Sequence, residues 1–317
     1  MRKRWVVVNH TQTECGVWNY GHRTWQLLSA STQFTYEHLC VSHAEQVMCY
    51  HAQHADQVCG FLFNWHPVTM NWLSDGFLQS VPGVKVIISG HDHVHEFSQA
   101  HHQFVCDPTF TARAKCTPVS RPLNVPPTCE PRATHGTFVV GTCGFGQTQK
   151  QFPHLVKKVG EQFDQPVTFR IHMPYGAFVD ASGGLAHTIK AECAQACAPH
   201  VQLQISHEFM PNYQDLIQWL SENDLNVFSY DHQPGRGCSS ALDAAIVSGK
   251  PWACNGSNMF RHVLQDWPQL NMDVYDLNQI LAWGTQPSAH FLNKWSPRQF
   301  IWDHEHILEQ LHHAQSR

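Results

Sequence analysis

Two stretches of the chain gather residue types able to do chemistry. The first is Ser229-Tyr-Asp-His-Gln-Pro-Gly-Arg-Gly-Cys-Ser-Ser-Ala-Leu-Asp-Ala-Ala-Ile-Val-Ser-Gly-Lys-Pro251, an apolar strand running through a glycine turn into a helix. Glycine lets the backbone come close to a ligand. The unpaired amides and positive end of a helix make a seat for phosphate. On that reading the amides of Gly235, Gly237, Cys238, Ser239 and Ser240 hold an anion. Arg236 adds a charge-assisted contact that can be bidentate, and Asp243 stands one turn further in. Equally open is a plain glycine turn leading into a core helix capped by Ser239 or Ser240. The second stretch is Ser89-Gly-His-Asp-His-Val-His-Glu-Phe97, where imidazoles cluster at a strand end. Imidazole nitrogen suits Zn, Fe and Mn, and a single histidine also suits proton transfer. Cys193 and Cys197, four apart on a helix, fit either two metal ligands or small-residue packing.

Composition bounds what these residues can belong to. A chain of 317 residues suggests two domains at roughly 150 residues each. With 42% hydrophobic and 14% charged residues, wholesale disorder is excluded. A net charge of −5 argues against a polyanion binder working through bulk charge, so nucleic acid is not indicated. Histidines number 25 against 20 lysines and arginines, so positive charge should build up steeply below about pH 6.5. The 12 cysteines are scattered with no Cys-x-x-Cys pair, unlike a dense disulfide framework, which points to free thiols in a reducing, cytoplasmic compartment. The apolar run Trp5–Val8 after Met1-Arg-Lys-Arg is too short for a signal peptide. No run approaches the roughly 18 apolar residues of a membrane span.

The elements that must position the two stretches alternate between strand and helix. Strands are expected at Trp5–Asn9, Phe34–Val41, Val58–Trp65 and Val84–Ser89, with a glycine turn over 15–21 opening a helix over 22–28 and further helices over 44–50 and 70–81. From about Phe104 to Arg132 the six prolines at 108, 118, 122, 126, 127 and 131 predict irregular chain and a domain boundary near its end. A second series follows. Its strands are near Thr137–Gly141, Val167–Ile171, Val201–Ile205, Leu225–Tyr230 and Trp252–Cys254; helices lie between them and a last helix starts at Pro297. Strand–helix alternation with short turns means βαβ units and parallel sheets. Two such domains in series place a ligand at their strand C-terminal ends.

The order of motifs resembles the GT-B glycosyltransferases, in particular the retaining group 1, family 4-like type. Strand, glycine loop, helix with Asp243, then Ser248-Gly-Lys-Pro251 is similar to that family's nucleotide-sugar motif. Cys15-Gly-Val-Trp-Asn-Tyr-Gly-His-Arg23 resembles its first glycine loop, and Val86-Ile-Ile-Ser-Gly-His-Asp92 its strand ending in His-Asp. Gly141-Thr-Cys-Gly-Phe-Gly-Gln-Thr-Gln-Lys150 resembles the opening of its donor domain. The resemblance implies an α/β fold of two Rossmann-like parallel-sheet domains facing each other across a cleft. Residues 1–135 would form the acceptor side, 136–296 the nucleotide-sugar domain, and 297–317 a helix crossing back. It implies a hexosyltransferase moving a sugar from a nucleotide-diphosphate sugar to an unidentified acceptor hydroxyl. Lys150, Arg236 and the loop amides would neutralise the departing diphosphate, with Asp243 on the ribose or sugar. Gly16 and Val17 would admit the donor from the first domain. His91 and Asp92 would orient the acceptor hydroxyl or take its proton. Trp18, Tyr20, Trp65 and Trp72 would stack on sugar or pack a core. No Asp-x-Asp occurs, so no obligatory metal or cofactor is expected beyond the donor itself.

The match has gaps. Gly235 stands where the first Glu of Glu-x7-Glu belongs, and the arginine usual near the start of the donor domain is missing around Thr142–Phe145. Two alternatives follow. One is a non-catalytic nucleotide-sugar-binding protein of the same fold. The other is a metal-dependent phosphoesterase, because Gly90-His-Asp-His93 resembles the Gly-His-x-His segment of calcineurin-like enzymes; the first strand, however, ends Val8-Asn-His10 rather than Asp-x-His.

Overall fold

The computed structural model describes residues 3–90, 95–125, 136–176, 178 and 180–315. The chain divides into two compact units: Met1–Asn124 with Gly235–Cys238 and Lys294–Arg317, and Val125–Pro234 with Ser239–Asn293.

The first unit is built on a parallel sheet in the order β2-β1-β3-β4-β5-β6. Its strands are β1 Arg4–Asn9, β2 Thr35–Cys40, β3 Val58–Trp65, β4 Val84–Ser89, β5 His102–Val105 and β6 Cys116–Pro118. Helices α1 Gly16–Leu28, α2 Ala44–His54 and α3 Asp75–Ser80 connect the first four. The strands are near-continuous apolar runs because helices cover both faces. Side chains alternate between two cores, as the two-residue strand period requires. Trp5, Val7, Leu62, Val86 and Ile88 join Tyr20 and Leu27 of α1, whereas Val6, Val8, Phe61, Phe63 and Ile87 join Val47 of α2 and Leu78 of α3.

Three expectations are corrected here. The glycine turn expected over 15–21 is already helix, because Cys15 is the extended N-cap and α1 begins at Gly16. The proline-rich stretch holds β6 and overlaps the end of β5, so it is not wholly irregular. Pro118 is tolerated because β6 is an edge strand that needs no donor on its outer side. The helix expected over 70–81 begins only at Asp75, because the Ser74 hydroxyl accepts from the Phe77 amide and fixes the N-terminus there.

The second unit carries a parallel sheet in the order β11-β10-β7-β8-β9. Its strands are β7 Phe138–Cys143, β8 Val167–His172, β9 Val201–Ser206, β10 Leu225–Phe228 and β11 Trp252–Cys254. They are joined through α4 Phe152–Gln162, α5 Gly184–Ala196, α6 Tyr213–Ser221 and α7 Ala241–Val247, and followed by α8 Arg261–Leu264, α9 Leu277–Leu281 and α10 Gln286–Lys294. A buried polar network locks its centre. Asn223 Nδ2 donates to Asn226 Oδ1 at 2.8 Å, and Asn223 Oδ1 accepts from Arg170 at 3.1 Å. The Arg170 guanidinium also pairs with Glu222 at 3.2 Å and lies over Trp219. Gly141 on β7 makes this possible, since a Cβ there would sit 2.0 Å from Asn223 Nδ2.

The last helix, α11 Pro297–Gln315, returns to the first unit, where Phe300 and Leu308 enter the Trp5 core. Its Asp303 accepts from the Ser120 amide at 2.8 Å, and Glu305 accepts from the Tyr36 hydroxyl at 3.2 Å.

Candidate functional site

In the second sheet the strand order reverses between β7 and β10, the topological switch point at which open α/β sheets bind ligands. The segments that leave the C-terminal ends of these two strands are laced together. Past β7 the chain turns at Gly144, forms a single 3-10 turn over Thr148–Lys150, and enters α4 through Gln151. Gln151 has φ 51°, a left-handed conformation unusual for a side-chain-bearing residue. Its side-chain amide receives the Ser229 hydroxyl and donates to the Asp231 carboxylate. The Asp231 backbone amide in turn donates to the Gln149 carbonyl at 2.8 Å.

Within this clasp sits Lys150, only 7% exposed. Its ammonium donates to the Tyr230 hydroxyl and lies 4.3 Å from that ring's centroid. A Cβ on Gly144 would stand 2.6 Å from Lys150 Nζ, so glycine is needed for the lysine to lie there. Among the described residues no carboxylate reaches ion-pair distance of Lys150. A buried ammonium without a counter-charge is costly, and an anionic ligand relieves that cost.

Tyr230 itself is held rigidly. Asn255, just past β11, accepts from its amide at 3.1 Å and donates to its carbonyl at 2.8 Å. Phe260 packs edge-on at 5.4 Å, and the Ser239 hydroxyl donates to the phenol oxygen at 3.4 Å. A cavity of about 480 Å³ opens beside the same turn, walled by Gln147, Thr148, Gln151 and Asn255 together with the carboxylates of Glu192 and Asp273; Lys150 and Tyr230 are not in its wall. That volume falls within the roughly 300–1,000 Å³ range of small-molecule pockets.

The structure brings Lys150 and Ser239 together through Tyr230, a residue the sequence reading left inside a strand. The other expected positions fare differently. Neither Ser239 nor Ser240 caps α7 through its side chain: Ser240 occupies the N-cap in a helical conformation, and the Ser239 hydroxyl is engaged at Tyr230. The Ser239 amide donates to the Met259 carbonyl at 3.0 Å, which removes it from the expected row of anion-binding amides. Asp243 is fully buried in α7 and engaged within the protein. Gly235, at φ 77°, Arg236 and Gly237 form the turn; the first two are exposed, while Cys238 is buried with its thiol 3.3 Å from Asp107 Oδ1.

In the first unit, Gly16 and Val17 open α1. A Cβ on Gly16 would meet nothing within 4 Å, and the Val17 carbonyl accepts from Asn64 Nδ2 at 2.7 Å. Tyr20 belongs wholly to the core, and Trp65 packs against Phe97, so neither presents a ring for stacking on sugar. His91 and Asp92 lie outside the described residues. Near the ends of β1 and β3 stand His10 and His66; burial first, then the His66 charge, pushes His10 down to about 4. Among the described residues no group of three or more His, Cys, Asp or Glu side chains is placed to hold a metal ion.

No family model and no curated protein matches the chain. Solved structures do match over its whole length. A sucrose-phosphate synthase from Thermosynechococcus elongatus aligns with a TM-score of 0.71 at 11% identity, covering 99% of this chain and 100% of its own. A glycosyltransferase from Rickettsia africae aligns at 0.64 with 8% identity and 98% coverage of both chains. The HepE protein of Anabaena, in complex with UDP-glucose, aligns at 0.62 with 10% identity, covering 97% of this chain and 99% of its own. The chain has the GT-B fold of these glycosyltransferases: two α/β units, each on a parallel sheet.

Proposed function

We propose that the protein is a glycosyltransferase that takes a sugar from a nucleotide-diphosphate sugar and delivers it to an acceptor hydroxyl. The observation that carries this reading is Lys150, a buried ammonium at the switch point of the second sheet with no carboxylate partner among the described residues. The diphosphate of the donor is an anion of the right charge for it. HepE, of the same fold, is seen with UDP-glucose, which supports a uridine nucleotide as the first donor to try.

The second unit is the donor side and the first the acceptor side. Sugar transfer needs the leaving diphosphate neutralised as the glycosidic bond breaks, and Lys150 does this from a fixed position. Asp243 lies fully buried in α7. Every cysteine among the described residues is a free thiol, and no helix there is long and apolar enough to cross a membrane; both suit work in the cytoplasm.

Thermal unfolding in the presence of UDP-, GDP-, ADP- and CMP-sugars, followed by a sugar-release assay with whichever binds, tests the reading. A ligand that binds only the folded state raises the melting temperature. At least one donor should raise it and be turned over. Binding without turnover would leave a nucleotide-sugar-binding protein, and no response to any of them would remove the proposal.

A further inference from the structure

We infer that Tyr230 is a second direct donor to the donor's diphosphate, acting as a pair with Lys150. This rests on the functional reading above and deepens it. The argument is a hydrogen-bond account. A phenol hydroxyl offers one proton and two lone pairs, and an ammonium offers three protons. The Tyr230 oxygen accepts from Lys150, and its 3.4 Å contact with the Ser239 hydroxyl is too long to hold the phenol proton firmly. The phenol proton meets no closer acceptor among the described residues, and two of the three Lys150 protons meet none.

Three donors therefore converge with no acceptor at ordinary hydrogen-bond distance, on residues that are 7% and 9% exposed. Buried donors are almost always satisfied, and a group of them left over at one point marks a missing acceptor. A diphosphate supplies several anionic oxygens at once. Donation from Lys150 into the phenol oxygen also strengthens the phenol as a donor, because linked hydrogen bonds polarise one another.

Tyr230 is well placed to be rigid in this role. Asn255 grips its backbone from both sides and Phe260 fixes its ring, so little ordering accompanies binding. In the transfer step the bond from the anomeric carbon to the diphosphate oxygen breaks, and its electron pair stays on that oxygen. The growing charge is met by the Lys150 N–H and the Tyr230 O–H. No proton leaves Tyr230; the anomeric carbon forms its new bond to the acceptor oxygen, and the acceptor hydroxyl's proton passes to the departing diphosphate.

The test compares wild type with Tyr230→Phe by calorimetric titration of UDP, inorganic pyrophosphate and uridine. The variant should lose roughly tenfold or more in affinity for UDP and pyrophosphate while its uridine affinity stays within about twofold. A merely structural tyrosine would weaken all three ligands alike or none. Equal affinity of variant and wild type for UDP and pyrophosphate overturns the inference and leaves the donor reading standing. A wild type that binds neither overturns both. Should the phenylalanine variant not fold, a crystal structure of the wild type with UDP decides: the phenol oxygen should lie within hydrogen-bond distance, about 3 Å, of a phosphate oxygen. A phenol oxygen beyond that reach overturns the inference.

Discussion

Replacing Gly144 by alanine should cost both stability and ligand binding, for separable reasons. Gly144 has φ 142°, a conformation that L side chains rarely adopt, and a strained residue of this kind costs about 1–3 kcal/mol. The new Cβ would also meet Lys150 at 2.6 Å from Nζ and 2.9 Å from Cε, too close to be accepted without movement. The lysine must swing off Tyr230, which forfeits a hydrogen bond worth about 1 kcal/mol. The sum, about 2–4 kcal/mol, corresponds to a fall of roughly 5–15 °C in the melting temperature of a unit of this size. Gly249→Ala is the control. Its φ of 67° carries a comparable backbone penalty, yet a Cβ there meets nothing within 4 Å. Differential scanning calorimetry with and without UDP should show both variants destabilised, with the UDP-induced rise abolished only in Gly144→Ala. A Gly144→Ala protein that keeps the full UDP response, or a Gly249→Ala protein that loses it equally, would refute the reasoning.

Two further outcomes are expected. His10, His102, His172 and His304 are buried, and burial pushes each down to about 4. The unfolded chain takes up these protons below about pH 6.5 and the native state does not until about pH 4. Their contribution is therefore complete above pH 6.5 and is lost as pH falls through that window, at up to about 1.4 kcal/mol per pH unit for each histidine. Urea denaturation midpoints between pH 7.5 and 4.5 should fall accordingly; a flat profile contradicts this. Phe300 of α11 is fully buried in the first core, so Phe300→Ala should cost about 3–5 kcal/mol, read as a lowered melting transition of the first unit; a change below about 1 kcal/mol would show that the helix is not part of that core.

Much of the fold was legible because buried parallel strands advertise themselves. Trp5–Val8, Val84–Ile88 and Leu225–Phe228 are apolar runs ended by turns, and each is a central strand. What was hidden was polar. β5 reads His-Gln-Phe-Val, and its histidine and glutamine are buried only because Thr117 and Ser89 meet them across neighbouring strands. No periodicity in the sequence reports such partners. The site divides the same way. The glycine turn at 235–237 and Lys150 were visible, the first by composition and the second by resemblance to a family. Tyr230 was not, because its partner lies 80 residues away and no spacing rule links them. A tyrosine two positions past an apolar strand and ahead of a glycine turn is the signal that could have pointed there. Ser239, read as a cap or an amide donor, is misjudged because Tyr230 and Met259 take its hydrogen bonds.

The central claim is that a buried lysine at the strand switch point holds a diphosphate. Calorimetric titration of UDP into wild type and Lys150→Met tests it most directly. Two charge-assisted hydrogen bonds at about 1.5–3 kcal/mol each predict a loss of at least a hundredfold in affinity, while the unliganded variant, relieved of an unpaired buried charge, unfolds at the same temperature or higher. A Lys150→Met protein that binds UDP as tightly as wild type would contradict the account.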